Sequence, residues 1–172
     1  DPIFYSKGKS TQQRNFLFEL EIASLFLCCG HEVFSKEEPD VIVKEFKSSS
    51  WDIPCKMIYS DNPVTMADRL DDGIHQCLSH NSTYGLVVAG LSNVTDHATF
   101  LPILDESDDI WGSYTNTQAA TKKLEEYIKT CIDSIKEQSI NHFNEGRENT
   151  KFRGILLITH TICSVNAVPM TL

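Results

Sequence analysis

Long hydrophobic runs are missing from this chain: the longest apolar stretches, Ile22–Cys29 and Gly154–Ile158, fall far short of the roughly 20 residues that cross a bilayer as a helix. No membrane span is expected. Glycine (8 residues) and proline (6) are too few and too scattered for a fibrous or low-complexity protein, and no repeat recurs at solenoid or propeller periods. The opening Asp-Pro-Ile-Phe-Tyr-Ser-Lys has no basic segment leading into an apolar one, so a secretory leader is not expected. Cationic excess is missing as well. Fifteen Lys and Arg stand against 24 Asp and Glu, a net charge of −9, which disfavours a general electrostatic grip on nucleic acid or anionic lipid. Any DNA contact must be local.

What is present is ordinary globular composition, 41% hydrophobic and 23% charged over 172 residues, which suits one core. Residues 1–172 read as a single domain, a fragment of a longer protein whose flanking domains or protein partners hold any recognition function. Six cysteines at 28, 29, 55, 77, 131 and 163 sit mostly in apolar stretches and read as reduced, buried, small hydrophobes of a cytoplasmic protein. Cys77 and His80, one helical turn apart, are the only pair with ligand spacing, and no second pair completes a zinc site. Acids gather at Asp68, Asp71 and Asp72 and again at Asp105, Glu106, Asp108 and Asp109, whereas Lys7, Lys9 and Arg14 make a basic opening; such clusters are usually solvated faces or loops.

Phe16, Leu20, Ala23 and Leu27 recur at three- and four-residue spacing, which predicts a helix over Ser10–Cys29 that buries this stripe and stops at Gly30. Three strands are expected next, His31–Phe34, Val41–Phe46 and Trp51–Tyr59, separated by a Glu-Glu-Pro-Asp turn and a Lys-Ser-Ser-Ser turn. Thr65 is a candidate cap for a second helix through His80, with Asp68 in its first turn and Met66, Leu70, Ile74 and Cys77 facing the core. The continuous apolar run Tyr84–Leu91 suits a strand buried on both faces. The acidic loop Asp96–Gly112 follows, then a helix over Thr117–Phe143 with Leu124, Ile128, Cys131 and Ile135 as its stripe, and a last strand over Phe152–Ile162. The order α-β-β-β-α-β-α-β implies an α/β fold with a mixed central sheet flanked by helices.

Several chemically active residues fall at the ends of these elements. Glu19 lies on the first helix, Asp40 begins the second strand after Pro39, and Asp52, Pro54 and Lys56 alternate onto one face of the third. Two or three carboxylates beside a lysine are what metal-assisted phosphodiester cleavage needs, because hard oxygens hold Mg²⁺ and the lysine orients the water that attacks. Phe18-Glu19-Leu20-Glu21-Ile22-Ala23, Gly30-His31-Glu32-Val33, Pro39-Asp40 and Ile53-Pro54-Cys55-Lys56-Met57 together resemble the PD-(D/E)XK, or restriction-endonuclease-like, nucleases over residues 14–91. The resemblance implies a restriction-endonuclease-like core and a Mg²⁺ (or Mn²⁺) site held by Glu19, Asp40 and Asp52. It further implies catalytic roles for Asp40, for Lys56 on the attacking water, and for Gln76, on the following helix, in orienting Lys56 or a phosphate. The substrate class implied is nucleic acid, DNA ahead of RNA, with Lys44, Lys47, Lys56 and the basic opening as local phosphate contacts and Arg69, Lys122 and Lys123 as further candidates.

One departure stands inside the motif. Pro54 occupies the family's second acidic position and removes a ladder donor from a central strand. Asp52 replaces that acid only if a bulge or register shift brings it closer; Glu19, Glu21 and Glu45 are the other acids nearby. Two classes of function therefore remain open, a metal-dependent nuclease and a catalytically inactive module of the same fold that binds protein or nucleic acid. A third, a hydrolase on an unrelated fold, has Cys55 and His75 as its nearest nucleophile and base.

Overall fold

In the computed structural model the described residues are 12–37, 40–44, 49–97, 103–104, 110–111, 117–138, 141–160, 162–165 and 168–171. They form α1 (Gln12–Cys28), β1 (Glu32–Ser35), β2 (Val41–Lys44), β3 (Ser50–Ile53), β4 (Cys55–Met57), α2 (Pro63–Ser79) and β5 (Tyr84–Gly90). After these come β6 (Ile103–Leu104), β7 (Ile110–Trp111), α3 (Thr117–Lys136), α4 (Asn141–Glu148), β8 (Phe152–Ile158), β9 (Ile162–Val165) and β10 (Val168–Thr171). The protein is α/β, with a mixed six-stranded sheet: β1, β2 and β3 run antiparallel, whereas β3, β4 and β8 all lie parallel to β5. Two-residue β6 and β7 pair inside the acidic loop, and β9 and β10 form a separate hairpin.

Each face of the sheet carries its own core. On one side Phe18 and Ile22 of α1 pack on Val41, Val43, Ile53, Cys55 and Val88; on the other Met66, Leu70, Ile74 and Cys77 of α2 meet Val87 and Ala89, with Ile135 of α3 behind them. The α2 stripe is the one its sequence spacing predicts, and β5 is buried on both faces as its continuous apolar run requires.

Several boundaries differ from expectation, each for a local reason. α1 stops at Gly30 as foreseen: φ is +86°, and the bonds His31 N–H to Phe26 O and Gly30 N–H to Leu27 O close a Schellman turn that favours glycine. Its buried side is not the one the spacing implies, since Phe16, Leu20 and Leu27 are exposed and Phe18 and Ile22 are inside. α2 starts earlier than Thr65. Asn62 caps it, its Oδ1 accepting the Val64 N–H (2.9 Å) and the Thr65 N–H (3.4 Å), with Pro63 pre-set at the first helical position, so Asp68 lies beyond the first turn. The helix expected over Thr117–Phe143 is two helices: Asp71 restarts the chain by accepting the His142 backbone N–H at 2.6 Å, its other oxygen 2.8 Å from His142 Nδ1. Cys28 and Cys29 are exposed free thiols rather than core residues, while Cys55 and Cys77 are buried as expected. The side chains of Asp105, Glu106, Asp108, Asp109, Trp111 and Cys163 lie outside the described residues.

Candidate functional site

The expected third strand is broken at Pro54, yet nothing slips there. Trp51 and Asp52 pair with Tyr84 and Gly85, and Cys55 and Lys56 pair with Val88 and Ala89, so the offset to β5 is the same on both sides of the proline. Pro54 still accepts the Val88 N–H through its carbonyl (2.9 Å) and loses only the bond its missing N–H would have donated. No bulge marks the position, and Asp52 is not drawn toward Lys56.

The other edge of this strand shows what the proline leaves behind. The β2–β3 ladder begins at Val41 opposite Ile53, so the next residue outward on β2 is Asp40, beside the break. Its Oδ2 accepts the Cys55 N–H at 2.6 Å, so a carboxylate takes the donor that the departing strand no longer reaches. That bond fixes the orientation of Asp40.

Glu19 approaches from above the sheet on α1. Tyr59, just past β4, donates its hydroxyl to Asn15 Oδ1 at 2.9 Å and pins α1 one turn before Glu19. Burial first, and the Asp40 carboxylate second, push the half-buried Glu19 carboxyl above its ordinary range, while Lys56 draws it back. The Cys55 thiol is also pushed up, by burial first and then by Asp40 and Glu19, again opposed by Lys56. Glu19 therefore lies close enough to Asp40 and to Lys56 to feel the charge of each. The stem of Lys56 runs past Gly73 of α2, where an added Cβ would lie 3.5 Å from Lys56 Cε and 2.8 Å from Val87 Cγ1, so the glycine gives strand and helix room to meet. Gln76, one turn further along the same side of α2, has a buried Oε1 with no hydrogen-bond partner.

Asp52 has a different environment. It is 1% exposed, its Oδ1 accepts the Ser82 hydroxyl at 2.5 Å, and its Oδ2 lies 3.3 Å from Lys151 Nζ, which also donates to the His80 carbonyl. With its charge answered by the half-buried Lys151, Asp52 belongs to a structural ion pair and is not part of the Asp40 corner. The neighbouring Cys77 thiol is pushed up to about 12, by burial first and then by Asp52, with Lys151 opposing. Sequence reasoning missed Lys151 and Ser82, because no local spacing links residues 52, 82 and 151.

The remaining acids and the thiol do not join the site. Glu21 pairs with His160 at 3.3 Å on another side of α1, and Glu45 lies outside the described residues. Cys55 faces the α1-side core, whereas exposed His75 stacks on His142 of α4 at 4.8 Å between ring centroids, so that nucleophile and base are in different layers. Among the described residues no three His, Cys, Asp or Glu side chains gather as a metal site, including around Cys77 and His80. Of the basic candidates, Lys44 lies over the Phe34 ring at 4.3 Å at the far end of β2, Arg69 and Lys122 are exposed on their helices, and Lys7, Lys9 and Lys47 lie outside the described residues. Compared with protein-family models, with curated proteins and with solved structures, the chain matches none of them.

Proposed function

We propose that the corner formed by Glu19, Asp40 and Lys56 is a divalent-cation site for hydrolysis of nucleic-acid phosphodiesters, on a restriction-endonuclease-like core running from α1 to β5. The carrying observation is that the Cys55 N–H holds the Asp40 carboxylate at the break in the sheet, at 2.6 Å, where burial and that carboxylate raise the Glu19 carboxyl against the pull of Lys56. Two hard carboxylates near one another suit Mg²⁺, which is commonly held by one or two carboxylates plus substrate phosphate and water. Glu19 and Asp40 would hold the ion, whose contribution when bound is to neutralise phosphate charge and acidify water. Cys55 contributes its amide, which aims the Asp40 carboxylate before any ligand arrives. Lys56 is the cation placed to hold water against a phosphate, and the unsatisfied Oε1 of Gln76 is an acceptor on the same side of α2 that can steady the Lys56 ammonium.

The second reading, an inactive module of the same fold, is favoured by a specific observation. Pro54 fills the place of the second acid, and Asp52 is committed to Lys151 and Ser82. Calorimetric titration of Mn²⁺ and Mg²⁺ into wild type, Asp40→Ala and Lys56→Ala, paired with cleavage of labelled single- and double-stranded DNA and RNA, separates the two. The nuclease reading expects metal binding lost in Asp40→Ala, cleavage lost in both variants, and folding retained. Wild type that neither binds metal nor cleaves would establish the inactive module.

A further inference from the structure

Two imidazoles lie together where α4 meets α2, and the Asp40 corner makes no use of them. His142, in the first turn of α4, and exposed His75 of α2 have ring centroids 4.8 Å apart with planes tilted by 42°. Asp71, one turn before His75 on α2, accepts the His142 backbone N–H through one oxygen, and its other oxygen lies 2.8 Å from His142 Nδ1. A carboxylate oxygen can only accept, so the proton of the neutral His142 ring is on Nδ1 and the free lone pair is on Nε2. The two helices are packed closely here: a Cβ added at Gly146, one turn after His142, would lie 3.1 Å from Ile74 Cγ2 and 2.9 Å from Phe152 Cδ1.

We propose that His75 and His142 together hold a borderline transition-metal ion, of the class of Zn²⁺, Ni²⁺ and Cu²⁺, at a site separate from the Asp40 corner. Imidazole nitrogen suits these ions, whereas Mg²⁺ takes oxygen. Two rings bound to one ion at ~2.0–2.1 Å, with their nitrogens about 90–110° apart at the metal, have centroids roughly 4.5–5.5 Å apart. The observed 4.8 Å falls within that span. A histidine that ligates a metal commonly donates its other ring N–H to a carboxylate, which fixes the tautomer and the ring, and Asp71 stands in that relation to His142. His75, being exposed, has room to turn a nitrogen toward the same ion. Asp72, three residues before His75, and Glu145, three after His142, add negative charge that offsets the positive end of α4. With two protein ligands and water in the other positions, the site is weaker than a four-ligand structural zinc centre. An ion held there ties α2 to α4 at the point where the chain restarts after α3.

Calorimetric titration of Ni²⁺ into the full chain carrying Cys28→Ser and Cys29→Ser, which removes the two exposed thiols as competing ligands, tests this. One equivalent bound with micromolar affinity is expected. His75→Phe keeps an aromatic ring beside His142 at an exposed position and is expected to weaken binding about tenfold or more with unchanged circular dichroism. Asp71→Asn is expected to weaken it about 10–100-fold, and Asp40→Ala to leave it unchanged. Should Asp71→Asn disturb folding, His75→Phe decides alone. A chain that binds no Ni²⁺ up to millimolar concentration, or a His75→Phe variant that binds it like its parent, would overturn the proposal. So would binding lost in Asp40→Ala, which would assign the ion to the carboxylate corner.

Discussion

Asp40 and Asp52 lie on neighbouring strands of one sheet, two positions apart in register, and the protein treats them in opposite ways. Asp52 pairs across from Ile42, two residues inward from Asp40 on β2, and is enclosed with a lysine and a hydroxyl that answer its charge. Asp40 has the Cys55 amide on one oxygen and acts on a second acid, Glu19, which Lys56 also influences. The first cluster is electrostatically closed and has no call for a further cation. In the second, one carboxylate makes the other harder to ionise, since Asp40 raises the Glu19 carboxyl while Lys56 lowers it. The difference is set by which residues of distant segments arrive beside each aspartate, since the residue type is the same.

The sharpest way to break this contrast is to open the closed cluster. Lys151→Met removes the cation and leaves Asp52 buried without it, so chemical denaturation is expected to show a loss of about 3–5 kcal/mol. Adding Asp52→Asn to that variant removes the stranded charge, and most of the loss is expected to return. A Lys151→Met variant within about 0.5 kcal/mol of wild type would mean that Asp52 is solvated or protonated and that the two aspartates do not differ as described.

Emptying the Asp40 corner should cost less. Asp40→Ala deprives the Cys55 N–H of its acceptor at a half-buried site that water can reach, an expected loss of about 1 kcal/mol read from the denaturation midpoint at unchanged slope. Asp40→Asn retains a carbonyl acceptor there and is expected to recover most of that stability while still failing to bind Mn²⁺. If the two variants lose equally, the amide bond is not what holds Asp40 in place.

Much of the architecture was legible in the chain because it is written in local signals. The α2 stripe, the Gly30 stop and the doubly buried run of β5 each depend on residues a few positions apart. Glu19, Asp40 and Lys56 were singled out from short motif segments, Phe18-Glu19-Leu20, Pro39-Asp40 and Cys55-Lys56; Glu19 lies in the middle of α1 and Lys56 in the middle of β4, not at element ends. What escaped was non-local or ambiguous. α1 carries apolar residues all around, so spacing alone selected Phe16, Leu20 and Leu27 as the inner stripe when the sheet covers Phe18 and Ile22. The break between α3 and α4 is capped by Asp71 from another helix, and the partner of Asp52 arrives with β8, about a hundred residues downstream. Pro54 was read correctly as a lost donor, but its neighbours keep register because β5 pairs on both sides of it.

The smallest effect bears most directly on the corner of Glu19 and Asp40. The Glu19 carboxyl is raised on folding, so the native state holds its proton more tightly than the unfolded chain does. By linkage, stability falls as pH rises from the ordinary glutamate value through the raised one, and the cost persists at neutral pH. Glu19→Gln removes that dependence. Because the group is half-buried and screened, the gain at pH 7 is expected to be only about a few tenths of a kcal/mol, visible as a slightly higher Tm and a flatter profile between pH 4 and 7. Mg²⁺ should invert the ranking: the ion stabilises whichever native state binds it, so wild type gains Tm with metal while Glu19→Gln does not. A Glu19→Gln variant that is less stable than wild type without metal would show that the carboxylate makes a favourable contact in the fold, as Asp52 does with Lys151.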